Sequence, residues 1–207
     1  MTKNNYHLNI FNKYSTHNII LNSIGVDKIV LDVGCNEGYI GKNSDKSNIF
    51  YGIDYFKDAI NKTKKSYKDA IFYDLNKIEN LPWDIEFDVI IFADVLEHVF
   101  YPEKILKFFV SRYLKKNGKV IISLPNIANW QIRFKLLFGK FDYKDTGIMD
   151  KTHLHLYTYK NAVRMVLKNN IKIINILCGA SIFGPLVKGL PFLRYILATN
   201  IIIIGAK

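Results

Sequence analysis

Three acids close three apolar runs in the first half of the chain. Asp32 sits in Ile29-Val30-Leu31-Asp32-Val33, Asp54 ends Ile49-Phe50-Tyr51-Gly52-Ile53-Asp54, and Asp74 ends Ala70-Ile71-Phe72-Tyr73-Asp74. Between the first two runs lies Gly34-Cys35-Asn36-Glu37-Gly38. Gly34 and Gly38 let backbone approach a ligand with no Cβ in the way. Exposed N–H groups where the next helix starts can bind a carboxylate or a phosphate. A carboxylate at the end of the second run can accept from both hydroxyls of a ribose. Each acid also has a plainer reading, since Asp32 and Asp54 could cap helices. Cys35 reads as a small residue whose backbone is in use rather than as a reactive thiol.

These acids need a sheet to position them. Short apolar runs alternate with stretches of helical period, which predicts βαβ order and a parallel sheet. Further runs are 87–93, apolar enough to be buried on both faces, then 119–124 after the turn Asn117-Gly118, 171–177 and 200–205. Helices are expected at 56–68, from Pro102 onward, at 160–168, and near 9–23, within an N-terminal helical segment covering 1–27. The fold class expected is α/β: one doubly wound, seven-stranded, Rossmann-like sheet in a single domain. Two stretches fit this order poorly, 125–155 and 179–199. Both follow late strands, on the side where ligands of such sheets lie, and 125–155 is the expected substrate-cover insertion after the fifth strand.

Composition narrows the function classes. The chain has 207 residues, 49% hydrophobic, which excludes a disordered chain. No run is apolar and long enough for a membrane span, and the N-terminus lacks a signal-peptide core, so a cytoplasmic protein is expected. Cys35 and Cys178 cannot make a disulfide framework or a four-ligand zinc site. The net charge is +11, but only Arg112, Arg133, Arg164 and Arg194 are arginine and the lysines are scattered. That argues against a nucleic-acid face.

A dinucleotide turn of the G-x-G-x-x-G type needs glycine at 36 and 39, where Asn36 and Tyr39 stand. The looser G-x-(G/N)-x-G fits. VLDVGCNEGYIG, YGID, FYDLNK, FDVIIFADVLEHVFYPEKIL and LKKNGKVIISLPN together resemble, in order and spacing, the class I S-adenosylmethionine-dependent methyltransferases over residues 15–178. The resemblance implies S-adenosylmethionine as cofactor. Gly34, Cys35, Asn36 and Gly38 would line its methionine part, with Asp32 orienting that loop. Asp54 would hold the ribose beside Tyr55, and Asp74 and Leu75 would meet the adenine. Ala93, Asp94, Val95 and His98 would lie near the sulfonium. Asp94, His98 and His153 are the catalytic candidates, although His98 could simply close a helical turn. Asparagine at 36 suits the turn because it tolerates left-handed backbone.

Later, N-x-x-N-W-x-x-R-x-x-L-L-x-G-x-F and D-x-T-H-L-x-x-Y-T resemble a bacterial subgroup associated with surface-polysaccharide and glycan biosynthesis. There, histidine at 155 stands where the subgroup often has arginine. This resemblance suggests Asn126, Trp130, Arg133, Asp150, His153 and His155 as the acceptor lining. The trio of Asp150, His153 and His155 has no flanking Cys or Glu at ligand spacing, so no metal is expected. The expected reaction is O-methylation of a small-molecule or glycan-type acceptor. RNA or protein methylation and a non-catalytic cofactor-binding domain are the alternatives. Ala93-Asp94-Val95-Leu96 argues against nucleobase chemistry, which favours an N-P-P-Y-type motif at that place. The apolar stretch 182–197 suggests either a packed cap or a ledge for peripheral membrane contact. The oligomeric state stays open.

Overall fold

A computed structural model describes residues 12–180 and 183–207. Seven strands form its centre: β1 (Ile29–Val33), β2 (Ile49–Asp54), β3 (Asp69–Phe72), β4 (Phe87–Ala93), β5 (Leu114–Pro125), β6 (Lys172–Gly179) and β7 (Asn200–Ala206). The helices are α1 (Thr16–Ile24), α2 (Tyr39–Asn43), α3 (Lys57–Thr63), α4 (Pro102–Tyr113), α5 (Trp130–Leu137), α6 (Tyr159–Lys168), α7 (Gly184–Gly189) and α8 (Arg194–Leu197). Strand order across the sheet is β3-β2-β1-β4-β5-β7-β6.

Alternation along the central strands builds two cores. Leu31 and Val33, Ile90 and Phe92, Val120, Ile122 and Leu124, and Ile201 and Ile203 face one side, where Phe109 of α4 and Val166 of α6 meet them. Val30, Val89, Ile91, Ile121 and Ile202 face the other, against Ile20 and Ile24 of α1 and Ile60 of α3. Strands buried on both faces explain why these runs are apolar nearly throughout.

Two expectations shift. The last strand is antiparallel to both its neighbours, β5 and β6, so the sheet is mixed rather than wholly parallel. Hydropathy marks a buried strand but carries no direction. The expected helix at 9–23 starts at Thr16, where the Ser15 hydroxyl accepts from the Asn18 N–H at 3.3 Å; residues 1–11 lie outside the described residues. The Asn117-Gly118 turn persists as a bulge. Leu114 pairs with Phe87 and Lys119 with Val89, so 115–118 leave the register. Among the described residues, no helix is long and apolar enough to cross a membrane.

Candidate active site

The carboxyl ends of β1 and β2 are tied together by the turn that follows β1. The N–H groups of Gly34 and Cys35 donate to the Ile53 carbonyl at 2.8 and 3.1 Å. The next N–H, of Asn36, donates to Asp54 Oδ2 at 2.7 Å, and Phe56 N–H donates to Asp54 Oδ1 at 2.9 Å. Asp54 therefore shapes the turn before it meets any ligand. Each of its oxygens keeps a second lone pair. Burial pushes its carboxyl above the ordinary value, against the lowering by these backbone bonds. Asn36 sits at φ 45°, the left-handed backbone that its type tolerates.

Asp32 reaches the same loop through a residue that no motif marks. Its Oδ2 accepts from the Tyr67 hydroxyl at 2.6 Å, and the hydroxyl oxygen accepts from Gly41 N–H at 3.0 Å. A side chain at Gly41 would collide with the Tyr67 ring, so this relay needs glycine there. Asp32 Oδ1 is buried without a partner. Burial raises the Asp32 carboxyl to about 7, with nearby Asp54 adding to the rise and the Tyr67 bond opposing it. The unfolded chain sheds this proton near 3.8, so the native state binds more protons between about 4 and 7. Stability from this group is complete below that window and is lost as pH climbs through it. Asp32→Asn removes the titration and keeps an acceptor for Tyr67. Its thermal midpoint, measured against wild type, should rise by several degrees between pH 5 and pH 8, because the wild type alone loses stability there. A constant difference would place Asp32 in contact with solvent.

Residues after β4 form the second half of the site. Asp94 has φ 53°, and its N–H meets Ser123 Oγ at 3.0 Å. Its Oδ1 accepts from Ser123 Oγ at 2.8 Å and from Asn200 Nδ2 at 2.9 Å. The ends of β4 and β5 and the start of β7 are thus fastened around one carboxylate. Backbone held at positive φ on a non-glycine residue is the strain expected where a site is assembled. Glu97 follows in a short 3-10 turn, Leu96–His98. Its side chain is fully buried, neither carboxylate oxygen has a hydrogen-bond partner, and burial drives its carboxyl well above the ordinary range, helped by Asp94.

The acceptor-side expectations divide. His153 comes to the β4 turn, with its ring 4.8 Å from that of His98 and its Nε2 4.0 Å from Glu97 Oε1. Asp150 is buried beside them, and its Oδ1 accepts from the N–H and hydroxyl of Thr152 at 2.8 and 2.7 Å. Trp130 is part-exposed against the ring of Phe183 at 6.2 Å. Arg133 is exposed, and its Nε donates to the Ala128 carbonyl at 2.7 Å, which ties it to its own loop. Two expectations fail. His155 turns outward, with Nε2 3.3 Å from the Phe100 carbonyl, and lines a groove with Tyr101, Arg164 and Met165 instead. Asn126 is fully buried, and its amide is spent on the Ala198 carbonyl at 3.0 Å and the Ala128 N–H at 3.1 Å. Neither stands with His98, Asp150 and His153.

The cofactor-side candidates stand at the strand ends and in the turns that follow them. Tyr55 is largely exposed and packs on Phe72 at 5.4 Å. Asp74 caps the turn Leu75–Lys77 through the Asn76 N–H at 3.0 Å, with Leu75 half-buried. Cys35 is buried, with its thiol pushed up by burial and by Asp32 and Asp54, so it stays protonated and inert. Gly38 starts α2 at φ 74°, and Ala93 and Val95 flank Asp94 below. A glycine cradle, a carboxylate at the end of β2 and a strained turn after β4 all open at the carboxyl ends of parallel strands, where such sheets take ligands. A family model described as a methyltransferase domain matches residues 24–181.

The chain belongs to this methyltransferase-domain family. Its fold is that of solved S-adenosylmethionine-dependent methyltransferases. A curated relative, the mitochondrial ubiquinone biosynthesis O-methyltransferase of Candida albicans, is 33% identical over 106 residues, covering 47% of this chain and 32% of that one. The match thus spans about a third of the relative's length. A TehB-like S-adenosylmethionine-dependent methyltransferase from Corynebacterium glutamicum superposes with TM-score 0.61 at 15% identity, over 92% of this chain and 86% of that one. Magnesium protoporphyrin IX methyltransferase from Synechocystis, with bound S-adenosylhomocysteine, superposes with TM-score 0.60 at 13% identity, over 91% and 78%. At such identities the superpositions establish the fold.

Tyr67, Glu97, Ser123 and Asn200 were not among the sequence candidates. Glu97 alone had a visible signal, an acid inside the otherwise apolar turn Val95-Leu96-Glu97.

Proposed function

We propose that this methyltransferase acts on a hydroxyl of a small-molecule or glycan-type acceptor that enters under residues 126–155. The observation that carries the reading is the joint at β1 and β2, where Asp54 fixes the glycine turn and keeps lone pairs for a ribose. S-adenosylmethionine supplies an activated methyl group on a positively charged sulfur. Gly34, Cys35, Asn36 and Gly38 would line its methionine part. Asp54 would take the ribose hydroxyls, Tyr55, Asp74 and Leu75 would surround the adenine, and Ala93, Asp94 and Val95 would face the sulfur. The Asp94 carboxylate beside this point favours a cation there. A hydroxyl acceptor must lose its proton. His153 suits that task, because burial and the adjacent His98 hold its imidazole below the ordinary value and so neutral at pH 7. The likeness to a ubiquinone biosynthesis O-methyltransferase supports oxygen as the acceptor atom. The motifs at 126–141 and 150–158 support a glycan-type acceptor.

The test is turnover of S-adenosylmethionine over fractionated phenolic and glycan acceptor pools, read as S-adenosylhomocysteine release, beside calorimetry with S-adenosylhomocysteine. Binding with turnover on a hydroxylated pool is expected. Binding with no turnover on any pool leaves a cofactor-binding domain, and loss of binding by folded protein overturns the assignment.

One observation favours contact with lipid as well. Phe134, Leu137 and Phe138 on and after α5 are 57%, 80% and 66% exposed, and Phe192 near α8 is 63% exposed. Arg133 and Lys135 flank Phe134, and Lys140 and Lys144 follow Phe138. Exposed apolar side chains with cations close by in sequence match an anionic bilayer surface. Co-sedimentation with vesicles containing phosphatidylglycerol should be clear for the wild type and several-fold weaker for Leu137→Glu/Phe138→Glu. Equal pelleting of both would dismiss the lipid role of this face.

A further inference from the structure

Among the described residues, Glu97, His98 and His153 each place one ligand atom within 4.8 Å of the other two. Sequence spacing hides this set, because two members follow β4 and the third comes from the cover segment. Its chemistry is unusual for a buried corner. Glu97 is fully buried, with no hydrogen-bond partner for either oxygen, and His153 Nε2 stands 4.0 Å from Oε1, beyond hydrogen-bond reach. Such an orphan needs an explanation, and a cation is one that fits its charge.

The imidazoles are set for the same task. His153 Nδ1 lies 3.1 Å from the Ile148 carbonyl, which can only accept, so Nδ1 carries the hydrogen and Nε2 is left as a lone pair near Glu97. His98 Nδ1 lies 3.2 Å from the Thr152 carbonyl and 3.0 Å from its hydroxyl. That hydroxyl gives its own hydrogen to Asp150, so His98 also carries its hydrogen on Nδ1 and frees Nε2. Outward N–H groups tied to carbonyls, with inward lone pairs, are the supporting pattern of metal-binding histidines. Asp150 adds negative charge just behind both rings.

We propose that Glu97, His98 and His153 form a site for one divalent cation of the zinc class. Two nitrogens and one carboxylate oxygen select zinc or its like over magnesium, which prefers oxygen alone. Ligand atoms around zinc lie about 3.3 Å apart in a tetrahedron, so the side chains close by roughly an ångström on binding. The remaining coordination positions would face the acceptor. If the acceptor reading holds, a hydroxyl bound to the ion would lose its proton more easily, and His153, its one lone pair then on the metal, would act as a ligand rather than as the base; the binding itself does not depend on that reading.

The experiment uses the full chain, stripped with EDTA and titrated with zinc chloride by calorimetry, with bound metal counted by plasma mass spectrometry after dialysis. One zinc per chain is expected. Glu97→Gln keeps the shape but not the charge, and should bind at least 30-fold more weakly. His153→Ala should lose stoichiometric zinc, and His155→Ala, two residues on but outside the set, should bind as wild type does. Titration of S-adenosylhomocysteine on the same samples shows that each variant is folded, and its failure would count against the cofactor reading instead. Absence of stoichiometric zinc in protein that binds S-adenosylhomocysteine overturns the proposal. So does zinc held equally by all three variants, which would place the ion at surface groups.

Discussion

Asp54→Ala is expected to bind S-adenosylhomocysteine at least about 30-fold more weakly than wild type, a loss of about 2 kcal/mol or more. Two effects add. Hydrogen bonds that ribose hydroxyls donate to a charged acceptor are worth about 1.5–3 kcal/mol. The same carboxylate also holds the Asn36 and Phe56 N–H groups at 2.7 and 2.9 Å, so its removal leaves the glycine turn with two N–H groups to satisfy. Asp54→Asn separates them. Its single remaining oxygen can serve the turn or the ribose but lacks the charge, and its affinity should fall between the other two. Calorimetric titration measures all three, with a thermal scan to show that each variant is folded. Unchanged affinity in Asp54→Ala would take this residue out of the cofactor site.

How much of this was legible follows from the range of each interaction. The five inner strands were, because Val30, Ile90, Ile91 and Ile202 and their neighbours are buried on both faces, and apolar runs of that kind announce themselves; the edge strands β3 and β6, largely unburied, were read from shorter apolar runs in the alternating order. The direction of β7 was not, since it depends on pairing with β5 and β6 rather than on its own residues. Asp54 and the glycine turn were legible because strand end, turn and helix start are contiguous. Tyr67 was not, although it joins Asp32 to Gly41, because it lies in an unremarkable segment before β3 and acts across 35 residues of sequence.

The cover segment shows the same limit more sharply. His153 and His155 would share a side if this stretch were a strand. It is a series of turns, fastened by the N–H groups of Leu154 and His155 on the Glu97 carbonyl at 2.8 and 3.1 Å, and the two rings part company. Asn126 was expected to line the acceptor because it opens the N-x-x-N-W motif that carries the subgroup resemblance. Its partners come from the far end of the chain, at Ala198, and only the fold brings them near.

Gly34→Ala is expected to be the most damaging single-atom addition in the site. At φ 74°, Gly34 holds a backbone that costs an L-residue roughly 1–2 kcal/mol. A Cβ there would also fall inside the van der Waals envelope of Val95 Cγ2. Val95 is itself buried and β-branched, so it has few rotamers with which to yield. Overpacking of this kind costs about 1–3 kcal/mol, which gives about 3 kcal/mol in all and a thermal midpoint lower by about 10 °C. Cofactor affinity should fall with it, because the collision lies between the turn after β1 and the turn after β4, the two walls of the proposed cleft. Val95→Ala in the Gly34→Ala background removes the collision and leaves the backbone penalty. It should restore more of the cofactor affinity than of the stability, since Val95→Ala leaves a small cavity of its own. If the single variant melted and bound like wild type, the two walls would not be in contact, and the close approach that shapes the cleft would be wrong.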